Sequence, residues 1–124
     1  MIVHLDTSAL VDALTGRRQS LPRLYEFVRE GHRLTLSAPT LYEWLRGPRT
    51  LGELRDQEAL LPRSAAVPFD AEAAGTAADL YGQVPRARAR QLDLAIAACT
   101  IVQEGALWTL NEEDFGDIPG LKLV

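Results

Sequence analysis

Short apolar runs rich in β-branched residues alternate along this chain with longer segments of helical periodicity, and that alternation constrains the fold more than any other feature. Ile2 to Asp6 reads as a strand ending in a carboxylate, after which Thr7 or Ser8 caps a helix reaching Leu14. Beyond the breaker Thr15-Gly16-Arg17-Arg18, Ser20 and Pro22 open a second helix, whose Leu24, Phe27 and Val28 share a face until Gly31. Leu34 to Ser37 is the second expected strand. Pro39 starts a short helix carrying Leu41, Glu43, Trp44 and Leu45, which stops at Gly47-Pro48. Thr50 to Leu61 is a further helix ended by Pro62, and Ala65 to Phe69 a weaker third strand. Asp70 caps an alanine-rich helix through Tyr81, and a loop from Gly82 to Arg90 follows. Gln91 to Glu104 is the most apolar helix, expected to be buried and to end at Gly105. Ala106 to Leu110 gives a fourth strand, Asn111 to Phe115 a helical turn, and Leu121 to Val124 a last strand.

Strands separated by helices specify a parallel sheet with right-handed crossovers, covered on both faces. The expected architecture is therefore α/β, a three-layer α/β/α sandwich around a mostly parallel sheet of four to five strands. The length of 124 residues suits one domain spanning 1–124. In open sheets of this kind the functional crevice lies beyond the carboxyl ends of the strands, so residues just after strands matter most.

Composition narrows the chemistry. The apolar fraction of 47% with 24% charged residues is that of a globular protein. One cysteine, Cys99, and two histidines, His4 and His32, cannot build a cysteine-rich or multi-histidine metal site, so any metal needs oxygen ligands. No segment approaches the roughly 20 apolar residues of a membrane span, and no basic leader precedes an apolar run. The expectation is a soluble, cytoplasmic protein with no membrane partner. A net charge of −4 counts against a nucleic-acid partner at first sight. Yet the 13 basic residues include one lysine, Lys122, and arginine makes bidentate phosphate contacts that lysine does not. High-GC codon usage gives the same bias, and composition alone favours that plainer explanation.

Four acids fall at or just beyond strand ends: Asp6 closes the first, Glu43 follows the second by a helical turn, Asp93 opens the buried helix, and Asp114 follows the fourth. A parallel sheet brings such positions to one crevice although they are far apart in sequence. Their charges repel unless a divalent cation bridges them, and an oxygen-only set suits a hard ion, Mg²⁺ or Mn²⁺. Each acid also has a structural explanation. Thr40-Leu-Tyr-Glu43 and Asn111-Glu-Glu-Asp114 resemble capping boxes, and taken singly capping accounts better for Glu43 and Asp114. Asp6 is harder to explain that way, because it ends an apolar strand and is costly to bury without a partner. Asp93 suits a helix start, but the helix around it is otherwise apolar.

These residues carry a family resemblance. Asp6-Thr7-Ser8-Ala9-Leu10, Ser37-Ala38-Pro39-Thr40-Leu41-Tyr42-Glu43, Leu92-Asp93-Leu94-Ala95-Ile96-Ala97-Ala98 and Leu107-Trp108-Thr109-Leu110-Asn111-Glu112-Glu113-Asp114-Phe115 together resemble a PIN domain, and more narrowly the VapC-type toxins of bacterial toxin-antitoxin pairs. The match runs in order from Met1 to Val124. It implies an Mg²⁺-dependent endoribonuclease with Asp6, Glu43 and Asp93 as the three acidic ligands and Thr7 or Ser8 as the hydroxyl beside the first acid. It also implies a homodimer and a cognate antitoxin. The fourth position departs from the family, which often has an aspartate where Thr109-Leu110 leads here to Asn111. Asp114 matches the acid before the phenylalanine and can supply the missing charge. Asparagine still coordinates but adds no negative charge, which points to one tightly held ion.

Arg86, Arg88 and Arg90 precede the Asp93 helix and offer phosphate contacts at the rim of an acidic crevice, although Arg90 and Asp93 can simply pair on the surface. Arg17, Arg18, Arg46 and Arg49 read better as a solvated face. Trp44, Trp108 and Cys99 read as core, and His4 as a satisfied structural histidine. Two other functions compete. A phosphoryl-transfer domain would use Asp6 or Asp70 as phosphate acceptor. However, the haloacid dehalogenase pattern needs an aspartate where Ser8 stands, and a receiver domain needs a lysine where only Lys122 exists. A catalytically weak scaffold binding RNA or protein is the third reading, kept open by Asn111.

Overall fold

The computed structural model describes residues 1–124. Three strands form one sheet: β1 (Ile2–Leu5), β2 (Arg33–Thr35) and β3 (Ala106–Trp108), ordered β2-β1-β3. Both pairings are parallel, with Val3 opposite Leu34 on one side and Ala106 on the other. Helices α1 (Thr7–Leu14) and α2 (Leu21–Arg29) join β1 to β2. Between β2 and β3 come α3 (Ala38–Arg46), α4 (Leu51–Leu60), α5 (Ala71–Tyr81) and α6 (Gln91–Val102), and the short α7 (Glu112–Phe115) follows β3.

Successive side chains of a strand point to opposite faces, and here both faces are filled. Val3, Leu5 and Trp108 join Leu10, Leu24 and Trp44 in one cluster, whereas Leu107 belongs with Leu80, Leu94, Ile96 and Phe115 in a second. The central strand is thus buried throughout Val3–Leu5, and the sheet is packed on both sides. Helix α6 buries Leu94, Ile96, Ala97, Ala98, Cys99 and Thr100, as its composition requires.

The sheet has three strands and not the expected four to five. The segments read as further strands, 65–69 and 121–124, each reach the sheet through a single bridge, Val67 to Ser37 and Leu123 to Leu107. At the first edge, a 3₁₀ turn at Arg63–Ala65 precedes Val67, and Pro68 has no N–H to extend the ladder. At the other, the tight turn at Gly120 (φ +79°) leaves only the backbone around Lys122 to Val124 beside Leu107. The capping-box explanation of two acids also fails. Ser37 caps α3 by accepting from the Thr40 N–H at 3.3 Å, and Asn111 makes no side-chain cap to α7. The capping box in this chain is Thr50 with Glu53, at the start of α4.

Two local expectations change. Helix α6 ends before Gly105, with Glu104 taking the left-handed conformation (φ +54°). Gly105 serves close packing instead: a Cβ there would lie 2.8 Å from the Ile2 carbonyl oxygen and 2.9 Å from the His4 ring. His4 is buried with neither ring nitrogen hydrogen-bonded, so it is not the satisfied histidine expected from sequence. Burial, and secondarily the Arg33 charge, push its pKa down to about 4.

Candidate active site

Parallel strands end on one side of the sheet, and the acids converge there. Asp6 follows β1 at the N-cap position of α1, yet its carboxylate makes no cap. Its N–H donates to the Trp108 carbonyl at 2.9 Å, which continues the β1–β3 ladder and fixes the backbone. The side chain turns toward β3, where the Ser8 and Thr109 hydroxyls both donate to Oδ2 at 2.8 Å. Oδ1 receives no hydrogen bond from the protein. Asp6 is only 4% exposed, so its charge is held by two neutral hydroxyls in a desolvated position.

The hydroxyls form a small scaffold. Thr109 Oγ1 also accepts from the Asn111 N–H at 3.0 Å, and Ser8 Oγ accepts from the Leu110 N–H at 2.9 Å. The turn after β3 is thereby tied to the first turn of α1. Thr7 donates to Glu43 Oε1 at 2.7 Å, joining α1 to α3, while Glu43 Oε2 lies 3.5 Å from Arg46 Nη2. Asp93 stands in the first turn of α6, which sequence alone placed correctly, and the side chains of Asp93 and Asp114 accept no hydrogen bond from the protein.

Asp6, Glu43, Asp93 and Asp114, with Thr7, Ser8 and Asn111, line one open cleft of about 830 Å³. The electrostatics register their proximity. The Asp93 pKa is pushed up to about 6, first by burial and then by the charges of Asp6, Asp114 and Glu43, with Arg90 opposing. No three of the acids are drawn together into a closed ligand cluster; they face each other across the cleft. The donor set nevertheless fits a hard divalent cation: it is all oxygen, it carries excess negative charge, and Asp6 and Asp93 have no ion-pairing side chain.

The arginines before α6 divide. Arg86 and Arg88 are exposed, and Arg86 lines a smaller cavity of about 330 Å³ that shares Asp93 and Asp114 with the main cleft. Arg90 is not free for phosphate. Its guanidinium makes a bidentate pair with Asp117, donates to the Asp114 carbonyl at 2.9 Å and to that of Pro85 at 3.2 Å, and so braces the turn carrying Asp114. The surface pair with Asp93 suggested by spacing is not formed; Asp117 takes that place. Asp70, the alternative phosphate acceptor, caps α5 by accepting from the Ala73 N–H at 3.0 Å and does not line the cleft.

Sequence reasoning missed one wall of the cleft, formed by Val11, Asp12, Thr15, Gly16, Arg17 and Gln19. The signal was available: Ser8, Asp12 and Thr15 recur at helical spacing, so the face of α1 that presents Ser8 to Asp6 continues through them.

Comparison with known proteins identifies the family and the fold. The sequence matches the family model described as PIN domain over residues 3–121. The fold resembles solved structures of VapBC2 from Rickettsia felis bound to a DNA fragment from their promoter (TM-score 0.78, 21% identity, covering 100% of this chain and 98% of that one). It also resembles DNA-bound VapBC from Salmonella typhimurium (TM-score 0.78, 20% identity, 100% and 97%) and a toxin-antitoxin complex from Klebsiella pneumoniae (TM-score 0.70, 24% identity, 96% and 94%). No functionally curated protein matches the sequence.

Proposed function

Since this chain belongs to the PIN-domain family, we propose that it is a divalent-metal-dependent endoribonuclease, the VapC-type toxin of a toxin-antitoxin pair. One observation carries the reading: Asp93 is half-buried and faces three other carboxylates in a cleft at the carboxyl ends of parallel strands, with no cationic side chain paired to it. A cation bound between these acids relieves their mutual repulsion.

Asp6, Glu43, Asp93 and Asp114 would hold Mg²⁺ or Mn²⁺, which supplies Lewis acidity at a phosphodiester and a nucleophilic water at neutral pH. The protein's own contribution is positioning. Ser8 and Thr109 lock Asp6 Oδ2 and leave Oδ1 available, Thr7 orients Glu43, and Arg90 braces the Asp114 turn. Asn111 is a neutral oxygen donor beside them, so the site favours one ion over two. Arg86, in the cavity that shares Asp114, meets RNA phosphates on that side, and the exposed Arg88 is a further phosphate contact.

The partners follow the same reading: an RNA substrate, a cognate antitoxin that covers the acidic cleft, and a second copy of the chain as homodimer. The antitoxin is supported by the fold shared with VapBC complexes. No helix is long and apolar enough to cross a membrane. Asn111 in place of an acid favours a second reading, a catalytically weak RNA- or protein-binding scaffold.

The test uses partner-free protein incubated with structured and single-stranded RNA, with Mg²⁺, with Mn²⁺ and with EDTA, alongside Asp93→Asn. Internal cuts that need the metal and vanish in Asp93→Asn are expected. Cutting that persists in EDTA or in the variant refutes the metal mechanism, and intact RNA under every metal condition favours the scaffold.

A further inference from the structure

The cleft has a strong charge imbalance. Five carboxylates line it, from Asp6, Asp12, Glu43, Asp93 and Asp114, against one cationic side chain, Arg17. A polyanion entering the cleft meets repulsion everywhere except at a metal between the acids and at Arg17. We propose that Arg17 is the phosphate anchor for the substrate strand on the α1 side of the site, holding a backbone phosphate flanking the scissile one. The inference rests on the nuclease reading for what is bound.

Arg17 is free for this task while its neighbours are not. Arg18 pairs with Asp56 at 2.7 Å, Arg23 with Glu26 at 2.9 Å, and Arg46 lies 3.5 Å from Glu43. Arg49 is folded over the Trp44 ring at 4.3 Å, and Arg90 holds Asp117. Arg17 forms no ion pair, although Asp12 lines the same wall. Asp12 instead accepts a hydrogen bond at Oδ2 from Ser20, across the α1–α2 loop.

The loop that carries Arg17 is fastened at its start and at its middle. Thr15 donates to the Val11 carbonyl at 2.7 Å at its start, and the Arg18–Asp56 pair ties its middle to α4. Gly16 and Arg18 both take left-handed backbone (φ +58° and +53°), so the chain turns sharply on either side of Arg17. Gln19, next along the loop, also lines the cleft and adds a neutral donor and acceptor pair. A guanidinium there makes bidentate contacts to phosphate oxygens without reference to base identity. With Arg86 in the cavity beyond Asp114, the strand crosses the acidic centre with a cation on each side.

The test combines binding and cleavage of one fluorescein-labelled single-stranded RNA by partner-free wild type, Arg17→Ala, Arg17→Lys and the charge-matched control Arg29→Ala. Arg29 is exposed at the end of α2, near the amino ends of the strands and away from the cleft. Arg17→Ala is expected to weaken binding and raise KM about tenfold, to leave kcat within about twofold, and to reduce the slope of log affinity against log salt by about 0.7. Arg17→Lys recovers the salt slope but only part of the affinity, because the bidentate contact is lost. Arg29→Ala behaves as wild type. If wild type cuts RNA and Arg17→Ala binds it equally well, the Arg17 assignment is wrong and the nuclease reading stands. If wild type binds RNA through Arg17 but never cuts it, the nuclease reading fails and the anchor survives. Absence of RNA binding by wild type overturns both.

Discussion

Thr7 donates its hydroxyl proton to Glu43 Oε1 at 2.7 Å, so the first residue of α1 fixes the orientation of an acid on α3. Neither residue is part of the sheet, and the bond ties α1 to α3 at the wall of the cleft that Asp6 and Glu43 share. A positioning contact of this kind tunes ligand geometry more than fold stability.

On the proposed function, Thr7→Ala is expected to weaken Mn²⁺ binding and activation by Mn²⁺ about tenfold, with a change in folding free energy of no more than about 1 kcal/mol. Thr7→Ser keeps the hydroxyl and retains most of the affinity. Titration calorimetry with Mn²⁺ and the metal dependence of RNA cleavage read the effect. Equal Mn²⁺ affinity in wild type and Thr7→Ala would show that the Thr7–Glu43 bond is only a tie between helices.

Asp93 carries the electrostatic cost of the site. Its folded pKa of about 6 lies above the 3.8 of an unperturbed carboxyl, so metal-free protein gains stability as pH falls from about 6 toward 3.8 and is penalised above that window. Asp93→Asn removes the charge and is expected to stabilise the metal-free protein at pH 7.5, on the order of 1–3 kcal/mol. The same variant should lose most of the rise in Tm that Mg²⁺ gives wild type. Thermal melts with and without Mg²⁺ make the comparison, and a less stable metal-free Asp93→Asn would contradict it.

His4 works in the opposite direction. Its folded pKa of about 4 lies below the usual 6.5, so its neutral form gives full stability above pH 6.5 that drains away as pH falls toward 4. The total is on the order of 3 kcal/mol. Because neither ring nitrogen has a partner, His4→Leu removes this acid sensitivity without orphaning a polar group. Urea midpoints at pH 7.5 and pH 5 should differ less in His4→Leu than in wild type; an unchanged difference would assign the acid lability elsewhere.

Gly105→Ala tests the contact between the chain entering β3 and β1. The new Cβ meets the Ile2 carbonyl and the His4 ring, and the backbone oxygen cannot swing away. Overpacking of this kind costs about 1–3 kcal/mol. The cleavage rate of the folded fraction should be preserved, because Gly105 lies at the amino end of β3, opposite the cleft.

What the sequence made legible is the part governed by local periodicity and by strand ends. Asp6 was conspicuous as a charge closing an apolar strand, Asp93 as a charge in an apolar helix, and α6 as a buried helix. Edge pairing is not local. Residues 65–69 have strand-like composition, but Pro68 and the preceding 3₁₀ turn limit them to one bridge. Residues 121–124 likewise reach only Leu107. Side-chain partners over long separations were equally invisible. Arg90 sits at helical spacing from Asp93 yet pairs with Asp117, and Thr40 and Glu43 have the letters of a capping box that Ser37 displaces. Arg17 looked like one of several solvated arginines. Only the folded loop shows that its neighbours are engaged and that it faces the acids.

On the proposed function, Asp6, Glu43, Asp93 and Asp114 together gather one divalent cation. Anomalous data collected near the manganese edge from crystals soaked in Mn²⁺ locate that ion. One dominant peak is expected in the cleft, within coordination distance of Asp6 Oδ1 and Asp93, and it should disappear in crystals of Asp93→Asn. A cleft with no anomalous peak at saturating Mn²⁺, or a peak unchanged by that substitution, would overturn the metal site.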